Sequence, residues 1–416
     1  MMHAAVGLWI LSAVICVGRG HLHSYGHHDH GKDQDTALDG GANSLSVVTS
    51  ENKGFAYRLY MKLAAHADSQ GKNILFSPSS VSVALAALSV GARGETHRQL
   101  FSGLGFNNSL LTQTDVDQAF QMLLKRPNDT SQEDTSEGTA VFVDNRFKAQ
   151  PEFLETLKQS YFADGFSLDF TQSTDSANTI NKYVKEKTNG KIDKLVDSLD
   201  PNTVMYLISY IYFKGKWATP FDPKLTKEDI FMVDENNKVA VQMMNMEERF
   251  DTYYDRAINT SVLHLPFNSS YSMLLLLPDD MSTLESAISP AYVTKWLKWM
   301  TSRTHDVYIP KFSIKTSYNL NDVLTEMGMT DMFGDHANFS GVSDGQKLAI
   351  SDVVHQATLD VDEAGATAAA ATGISMTLLS FRQIPVLKFN RPFMVVITER
   401  NTEKMLFMGK IINPNL

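Results

Sequence analysis

The chain has 416 residues, of which 43% are hydrophobic and 20% charged, as in an ordinary globular protein with a large apolar core. Its net charge of −10 and the absence of a long basic block argue against nucleic acid as a partner. Length alone allows two domains, but no long linker, repeat or composition break divides the chain, so we expect one folded domain.

The N-terminus has the pattern of a signal peptide. An apolar run from Ala4 to Val17 is too short to cross a bilayer, and the small residues Gly18 and Gly20 follow it. We therefore expect residues 1–20 to be removed and the protein to be secreted into the extracellular space, without a membrane anchor. The only cysteine, Cys16, lies inside this signal, so the mature chain would contain no disulfide and no reactive thiol.

Sequons support the secretory route. The pattern Asn-x-Ser/Thr marks acceptors for N-glycosylation, which occurs on exposed segments of secreted proteins. It is found at Asn107, Asn128, Asn259, Asn268 and Asn338.

Residues 21–46 are polar and histidine-rich, and we expect them to be disordered because they lack apolar periodicity. The histidines are His21, His23, His27, His28 and His30. Imidazole groups at this density could bind copper, nickel or zinc, but the preferred interpretation is a tail with no dedicated metal site. The folded domain is then expected to span residues 47–416.

Regular structure follows in chain order. Amphipathic or apolar periodicity predicts helices from Ser50 onward, from Ser79 to Val90 after Ser77-Pro78, and from Ser173 to Thr188. Strands are predicted at residues 140–145, at Val204–Phe213, and in two hairpins, Ser261–Pro266 with Tyr271–Leu277 and Leu387–Ile397 with Met405–Ile412. The helices concentrate early and the strands late, so the fold class is α+β.

The segment from Glu363 to Gly373 contains no large side chain after its first residue. Read as a strand, it and the next residues place one set of side chains on one face: Ala366, Ala368, Ala370, Thr372, Ile374, Met376 and Leu378. This face is small and then apolar, which suits burial, whereas the other face is small or polar. The segment fits both an exposed loop and a strand inside a sheet, which makes it a candidate switch element.

Several motifs resemble those of the serpin family, in family order over roughly residues 50–416. They are the stretches Asn73–Ser80, Phe213–Trp217, Leu387–Phe393 and Leu406–Lys410, together with the hinge that begins at Glu363. The resemblance implies a metastable fold of three β-sheets and about nine helices with an exposed reactive-centre loop at about residues 363–386. It also implies a suicide inhibitor of serine proteases, whose cleaved loop inserts into the main sheet and traps the acyl-enzyme.

Family spacing implies the position of the bond that the protease cleaves. Counting from Glu363 places it between Leu379 and Ser380, whereas counting back from Phe389 places it two residues later, at Phe381. Met376 and Arg382 are further alternatives. Leucine, phenylalanine or methionine suits chymotrypsin-like or elastase-like targets, and Arg382 would suit a trypsin-like one.

The resemblance also assigns roles within the main sheet. Ser77, Ser80 and His355 match a hydrogen-bonded cluster, the shutter, that holds the central strands together, and Trp217 matches the tryptophan at the point where insertion begins. Ser209 stands where relatives have asparagine, and a serine cannot reach as far as an amide. The implied hinge residues are Glu363, Gly365, Ala366, Ala368 and Ala370, with Ala366 in place of the usual threonine or serine.

Competing functions are weaker. A non-inhibitory serpin that carries a hormone or lipid is the main alternative, but the hinge lacks the proline or charge that such carriers tolerate. Enzyme motifs, including the zinc-protease and hydrolase patterns, are absent from the sequence, so we expect neither catalysis nor a cofactor. We expect a monomer that can polymerise. Heparin binding is not expected, since the segment Thr96–Phe106 carries only His97 and Arg98 as cations, too few for a glycosaminoglycan site.

Overall fold

The computed structural model describes residues 33–66, 69–125, 134–345, 347–365 and 383–416. The predicted signal peptide, the five histidines of the tail and Asn128 lie outside these ranges. So do the hinge alanines, Ala366, Ala368 and Ala370, and all candidate positions for the cleaved bond, Met376, Leu379, Ser380, Phe381 and Arg382.

Nine α-helices occur in the described ranges, in agreement with the number that the resemblance implies. They are α1 (Asp33–Ala65), α2 (Pro78–Gly91), α3 (Gly94–Leu104), α4 (Gln113–Leu124), α5 (Pro151–Tyr161), α6 (Ser173–Lys187), α7 (Met281–Ala287), α8 (Pro290–Trp299) and α9 (Asn321–Glu326). Among these helices, none has the length and hydropathy required to cross a membrane.

Helix α1 begins earlier than its sequence pattern predicts. The helix was expected from Ser50, and residues 21–46 were expected to be disordered, yet the backbone is helical from Asp33. Val48 is fully buried, and Leu45 and Val47 pack against the same core. These apolar contacts extend the helix toward the N-terminus through residues whose own helix propensity is low.

A five-stranded sheet forms one layer of the protein. Its strands are β2 (Asp134–Asp144), β3 (Asp164–Leu168), β4 (Met205–Lys214), β10 (Phe312–Asn319) and β11 (Asp352–Val361), in the spatial order β10-β11-β4-β2-β3. The central pair, β11 and β4, is parallel, and antiparallel strands flank it on both sides. Nine of the ten residues of β4 are buried, which confirms the prediction of a central strand covered on both faces.

A nine-stranded sheet forms a second layer. It contains β1 (Ile74–Phe76), β5 (Lys227–Met232), β6 (Lys238–Asp255), β7 (Thr260–Pro266), β8 (Tyr271–Pro278), β9 (Thr301–Pro310), β12 (Val386–Lys388), β13 (Phe393–Glu399) and β14 (Met405–Ile411). The long strand β6 pairs with β5 and β9 over its first part and with β7 at its end. The three expected sheets therefore correspond to the five-stranded sheet and to two portions of this one, which share β6.

The last predicted hairpin is only partly correct. A single strand was expected from Leu387 to Ile397, but the chain forms β12 and then β13, separated by residues 389–392. Pro392 lacks a backbone N–H and cannot continue a ladder. As a result β12 pairs in parallel with β9, whereas β13 pairs with β14 and β8.

Helix α2 joins the two layers. It is almost wholly buried and packs against β2 and β4 of one sheet and against β14 of the other. Ser77 caps its N-terminus by accepting a hydrogen bond from the backbone N–H of Ser80, and Pro78 occupies the first helical position. This capped helix end lies directly beneath the central strands of the five-stranded sheet.

Candidate functional site

The small-residue segment leaves the five-stranded sheet at Glu363, directly after β11. The Glu363 carboxylate accepts a hydrogen bond from the Thr226 hydroxyl at 2.6 Å and pairs with the Lys311 ammonium at 2.8 Å. Burial alone would raise the pKa of Glu363, but the bonds from Lys311 and Thr226 outweigh it and lower the pKa below its usual value. The start of the hinge is thus held by charge.

The backbone beyond Glu363 is held against Trp217. The indole N–H of Trp217 donates to the carbonyl of Asp362 at 2.7 Å, and its backbone N–H donates to the carbonyl of Ala364 at 3.0 Å. The indole stacks on Phe267 with 4.5 Å between ring centroids. Trp217 is therefore both a core residue and the residue that fixes the chain where the hinge begins.

Gly365 is required by close contact. A Cβ atom at this position would lie 2.5 Å from the Cβ of Pro220 and 2.8 Å from the carbonyl oxygen of Trp217, distances that real structures do not show. The hinge can therefore reach Trp217 only with a glycine at this position.

The predicted shutter residues do come together. In the parallel register of β11 and β4, His355 lies opposite Ser209. The Nδ1 atom of His355 is 3.0 Å from the Ser209 hydroxyl, and its Nε2 atom accepts a hydrogen bond from the Ser77 backbone N–H at 3.0 Å. One imidazole thus joins both central strands to the start of α2.

These bonds define the protonation state of His355. Because Nε2 accepts from a backbone N–H, the neutral ring must carry its hydrogen on Nδ1, which then donates to Ser209. Burial lowers the pKa of His355 to about 3, so the ring is neutral at physiological pH. The shorter reach of serine at position 209 does not leave the cluster open here, because the His355 ring itself lies 3.0 Å from the serine hydroxyl.

A second group of contacts extends the shutter in a direction that the sequence motifs did not indicate. The Ser77 hydroxyl donates to that of Ser80 at 2.9 Å, and the Ser80 hydroxyl lies 3.4 Å from the carboxylate of Glu137 on β2. Glu137 also pairs with Lys404 at 2.9 Å. Neither Glu137 nor Lys404 belongs to a motif, and the polar sequence around Glu137 gave no strand pattern from which its inward position could be predicted.

The predicted glycosylation sites that the structure describes lie near the surface. Asn107, Asn259 and Asn338 are exposed, and Asn268 is partly exposed. Exposure is necessary for modification but does not prove it, so use of these sequons stays a prediction.

The two cations considered for heparin binding are on α3, and both have local partners. Arg98 forms an ion pair with Glu95 one turn earlier, and His97 packs on the Phe101 ring and contacts Gln113. The absence of a heparin site at this helix stays a prediction.

Comparison with known proteins identifies the family. The family model described as "Serpin (serine protease inhibitor)" matches residues 50–414. A serpin of the A3 group from Bos taurus is 40% identical over 388 residues, covering 92% of each chain, and hibernation-specific plasma protein HP-55 of Tamias sibiricus is 38% identical over 413 residues, covering 98% of each. The solved structure of human thyroxine-binding globulin with thyroxine superimposes with a TM-score of 0.83 at 34% identity, covering 90% of this chain and all of that one. The chain therefore belongs to the serpin family.

Proposed function

We propose that this serpin is a secreted suicide inhibitor of serine proteases with chymotrypsin-like or elastase-like specificity. The observation that carries the proposal is the arrangement of β11: it leads directly into a small-residue segment and lies beside a parallel partner, β4. A strand that turned back from β11 would run antiparallel to both neighbours and could pair with each of them.

The proposed reaction begins at the bond between Leu379 and Ser380. The serine hydroxyl of the protease attacks the carbonyl carbon of Leu379, its proton passes to the Ser380 nitrogen through the protease's own base, and the C–N bond breaks. The protease is then bound to Leu379 as an ester, and Ser380 becomes a new N-terminus. Inhibition requires that water does not hydrolyse this ester before the loop inserts.

The two ends of the loop are held by different sheets, which supports insertion of one end alone. On its N-terminal side the loop follows β11 of the five-stranded sheet, and on its C-terminal side Pro385 and β12 are bonded to β9 of the nine-stranded sheet. After cleavage the part from Glu363 to Leu379 is free to enter between β11 and β4. Each backbone hydrogen bond gained there contributes about 0.5–1.5 kcal/mol.

Secretion and glycosylation belong to the same proposal. The apolar run Ala4–Val17 and the five sequons support export, and the relative HP-55 is described as a plasma protein. Expression of the full chain in mammalian cells should release a protein that begins near His21 and that loses mass on treatment with peptide N-glycosidase. Retention of the uncleaved chain inside the cells would contradict this part of the proposal.

The central test uses three proteases and two readouts. Chymotrypsin, neutrophil elastase and trypsin are each incubated with the protein, complexes that survive SDS are sought, and the released C-terminal peptide is sequenced. We expect a complex with chymotrypsin or elastase and a peptide that begins at Ser380. Cleavage by all three without a stable complex, and without a rise in the melting temperature of the cleaved chain, would refute inhibition.

A carrier function is the second candidate, and one pocket offers a place to test it. Between α1, α8 and the end of β13 lies a pocket of about 180 Å³, whose lining mixes apolar side chains such as Tyr57 and Leu297 with polar and charged ones, Arg400 among them. Typical ligand sites have volumes of about 300–1,000 Å³, so this pocket is small for a hormone. Titration with thyroxine, monitored by tryptophan fluorescence, distinguishes the two functions: saturable binding without inhibition would support the carrier.

A further inference from the structure

Strand β2 carries a charged side chain on the face that packs toward the nine-stranded sheet. Glu137 lies directly opposite Ile211 of β4, so the two side chains share a face of the sheet. Ile211 is fully buried in the core cluster between the two sheets. The strand is only half-buried at Glu137, but the same face becomes apolar and buried at Val141 and Val143. A carboxylate on this face therefore departs from its apolar pattern, and such departures commonly mark functional positions.

The partner of Glu137 comes from the other sheet. Lys404 lies in the turn between β13 and β14, and its ammonium is 2.9 Å from the Glu137 carboxylate. The Lys404 and Glu137 side chains are only 10% and 15% exposed, respectively, so water screens this pair poorly. The neighbouring Glu403 pairs with Lys53 of α1, which fixes the turn from its other side.

The two halves of the five-stranded sheet are attached to the rest of the protein in different ways. On one side of the central pair, β10 is bonded to β1: Thr316 donates to the Leu75 carbonyl, and the Leu75 N–H donates to the Tyr318 hydroxyl. On the other side, β4 and β2 pack on α2, and the pair of Glu137 with Lys404 joins this block to the turn before β14. If β11 stays with β10, separation of β11 from β4 moves Glu137 relative to Lys404.

We propose that the Glu137–Lys404 ion pair is a latch that controls how readily the five-stranded sheet opens between β11 and β4. This inference rests on the proposed function, because it assumes that the sheet opens to admit a strand. Glu137 and Lys404 are positioning residues and do not touch the protease. Opening the sheet separates a poorly hydrated ion pair, and this raises the barrier to insertion of any strand that is not already attached to a cleaved loop.

The test measures the uptake of a strand by the uncleaved protein. The probe is a synthetic peptide with the sequence of residues 363–378, and its incorporation is followed by native electrophoresis and by the melting temperature of the product. Lys404→Met removes the latch. Lys410→Met is the matched control, because Lys410 pairs with Glu285 at a similar depth, with exposures of 15% and 19%, but links α7 to β14 and leaves the five-stranded sheet untouched. The double variant Glu137→Met with Lys404→Met removes both charges and keeps the apolar volume.

We expect Lys404→Met to take up the peptide at least ten times faster than the wild type, which corresponds to about 1.4 kcal/mol. Lys410→Met should stay within about twofold of the wild type, even if both variants lose similar thermal stability. The double variant should recover thermal stability but keep its raised rate, since the contact that resists opening is still missing.

Three results would overturn the latch, and they are distinguishable. Equal acceleration by Lys404→Met and Lys410→Met would show a general loss of stability. A double variant with the wild-type rate would show only the cost of keeping the Glu137 charge after its lysine is removed. In both cases the proposed inhibitory function stands. A wild-type protein that takes up no peptide and gains no stability on cleavage would refute that function and the latch together, before any variant is made.

Discussion

The centres of the two sheets differ in composition, and under the proposed function the difference favours one of them as the sheet that opens. In the nine-stranded sheet, all eight residues of β8 are buried, and its side chains are apolar apart from Tyr271 and Ser272. In the five-stranded sheet, the buried part of β11 contains His355, Gln356 and Thr358, and β4 contributes Ser209. An apolar interface loses contact continuously as it separates, whereas a polar one depends on a few directional bonds that can break and form again. Under the proposed function, we therefore expect the nine-stranded sheet to be the frame and the five-stranded sheet to be the one that accepts another strand.

The largest effect is expected from a charge on the face of the hinge that must be buried. Ala368→Arg places a guanidinium on the face that the alternation assigns to the core, where burying an unpaired ion costs several kcal/mol. Formation of the SDS-stable complex should fall at least a hundredfold, while cleavage of the loop continues. The control is Thr367→Arg, on the opposite face, which should keep most of the inhibition. Equal loss in both variants would show that the faces are assigned incorrectly.

The second prediction concerns a substitution in the nine-stranded sheet, which should lower the stability of the protein without easing the opening of the five-stranded sheet. Leu275 of β8 is fully buried, so Leu275→Ala should lower the free energy of unfolding by about 2–5 kcal/mol. Uptake of the peptide of residues 363–378, measured well below the melting temperature, should change less than about twofold. A rate that rises as much as in a shutter variant, such as His355→Asn, would remove the distinction between the two sheets.

Titration of His355 provides the third effect. The pKa of its side chain is about 3 in the folded protein, against about 6.5 in an unfolded chain, so the unfolded state binds more protons between these values. The contribution of His355 to the free energy of unfolding is therefore fully present above about pH 6.5. It is lost as the pH falls toward 3, by up to about 1.4 kcal/mol per pH unit.

The measurement compares denaturant unfolding of the wild type and of His355→Asn between pH 7 and pH 5, where few carboxylates titrate. We expect the wild type to lose more stability over this interval than the variant. His264→Gln is the control. Burial also lowers the pKa of His264, but this residue lies outside the shutter, so its removal should leave most of the pH dependence of the free energy of unfolding. If the pH dependence of the free energy of unfolding is unchanged in His355→Asn, the imidazole takes up protons equally well in the folded and unfolded states.

Local patterns predicted the helices and strands of the protein better than the contacts between them. The apolar run of β4, the hairpin of β7 and β8, and the cap of α2 by Ser77 are each specified by neighbouring residues. Motifs spread along the chain also placed His355 beside Ser77, a contact between residues 278 positions apart.

Contacts between distant, unremarkable residues could not be predicted in this way. Lys311 and Thr226 hold Glu363, and Lys404 holds Glu137, but these are ordinary surface-type residues whose partners are decided only by the packing of strands. Strand β2 was predicted only from residue 140, because its first half is polar and has no periodicity that marks a strand. Tertiary pairing with β4 gives it its length.

The smallest effect is expected at Ser209, the position at which the family resemblance leads us to expect asparagine. The serine hydroxyl already bonds to His355 at 3.0 Å, so Ser209→Asn adds at most one further hydrogen bond, with a contribution of about 0.5–1.5 kcal/mol. We expect a slightly higher melting temperature and slower uptake of the peptide. Ser209→Ala is the contrasting variant, because it leaves the Nδ1–H of a buried imidazole without this acceptor and should shift both quantities in the opposite direction. If asparagine instead destabilises the protein, the space between β4 and β11 is too small for the longer side chain, and the serine is required by packing as well as by its hydrogen bond.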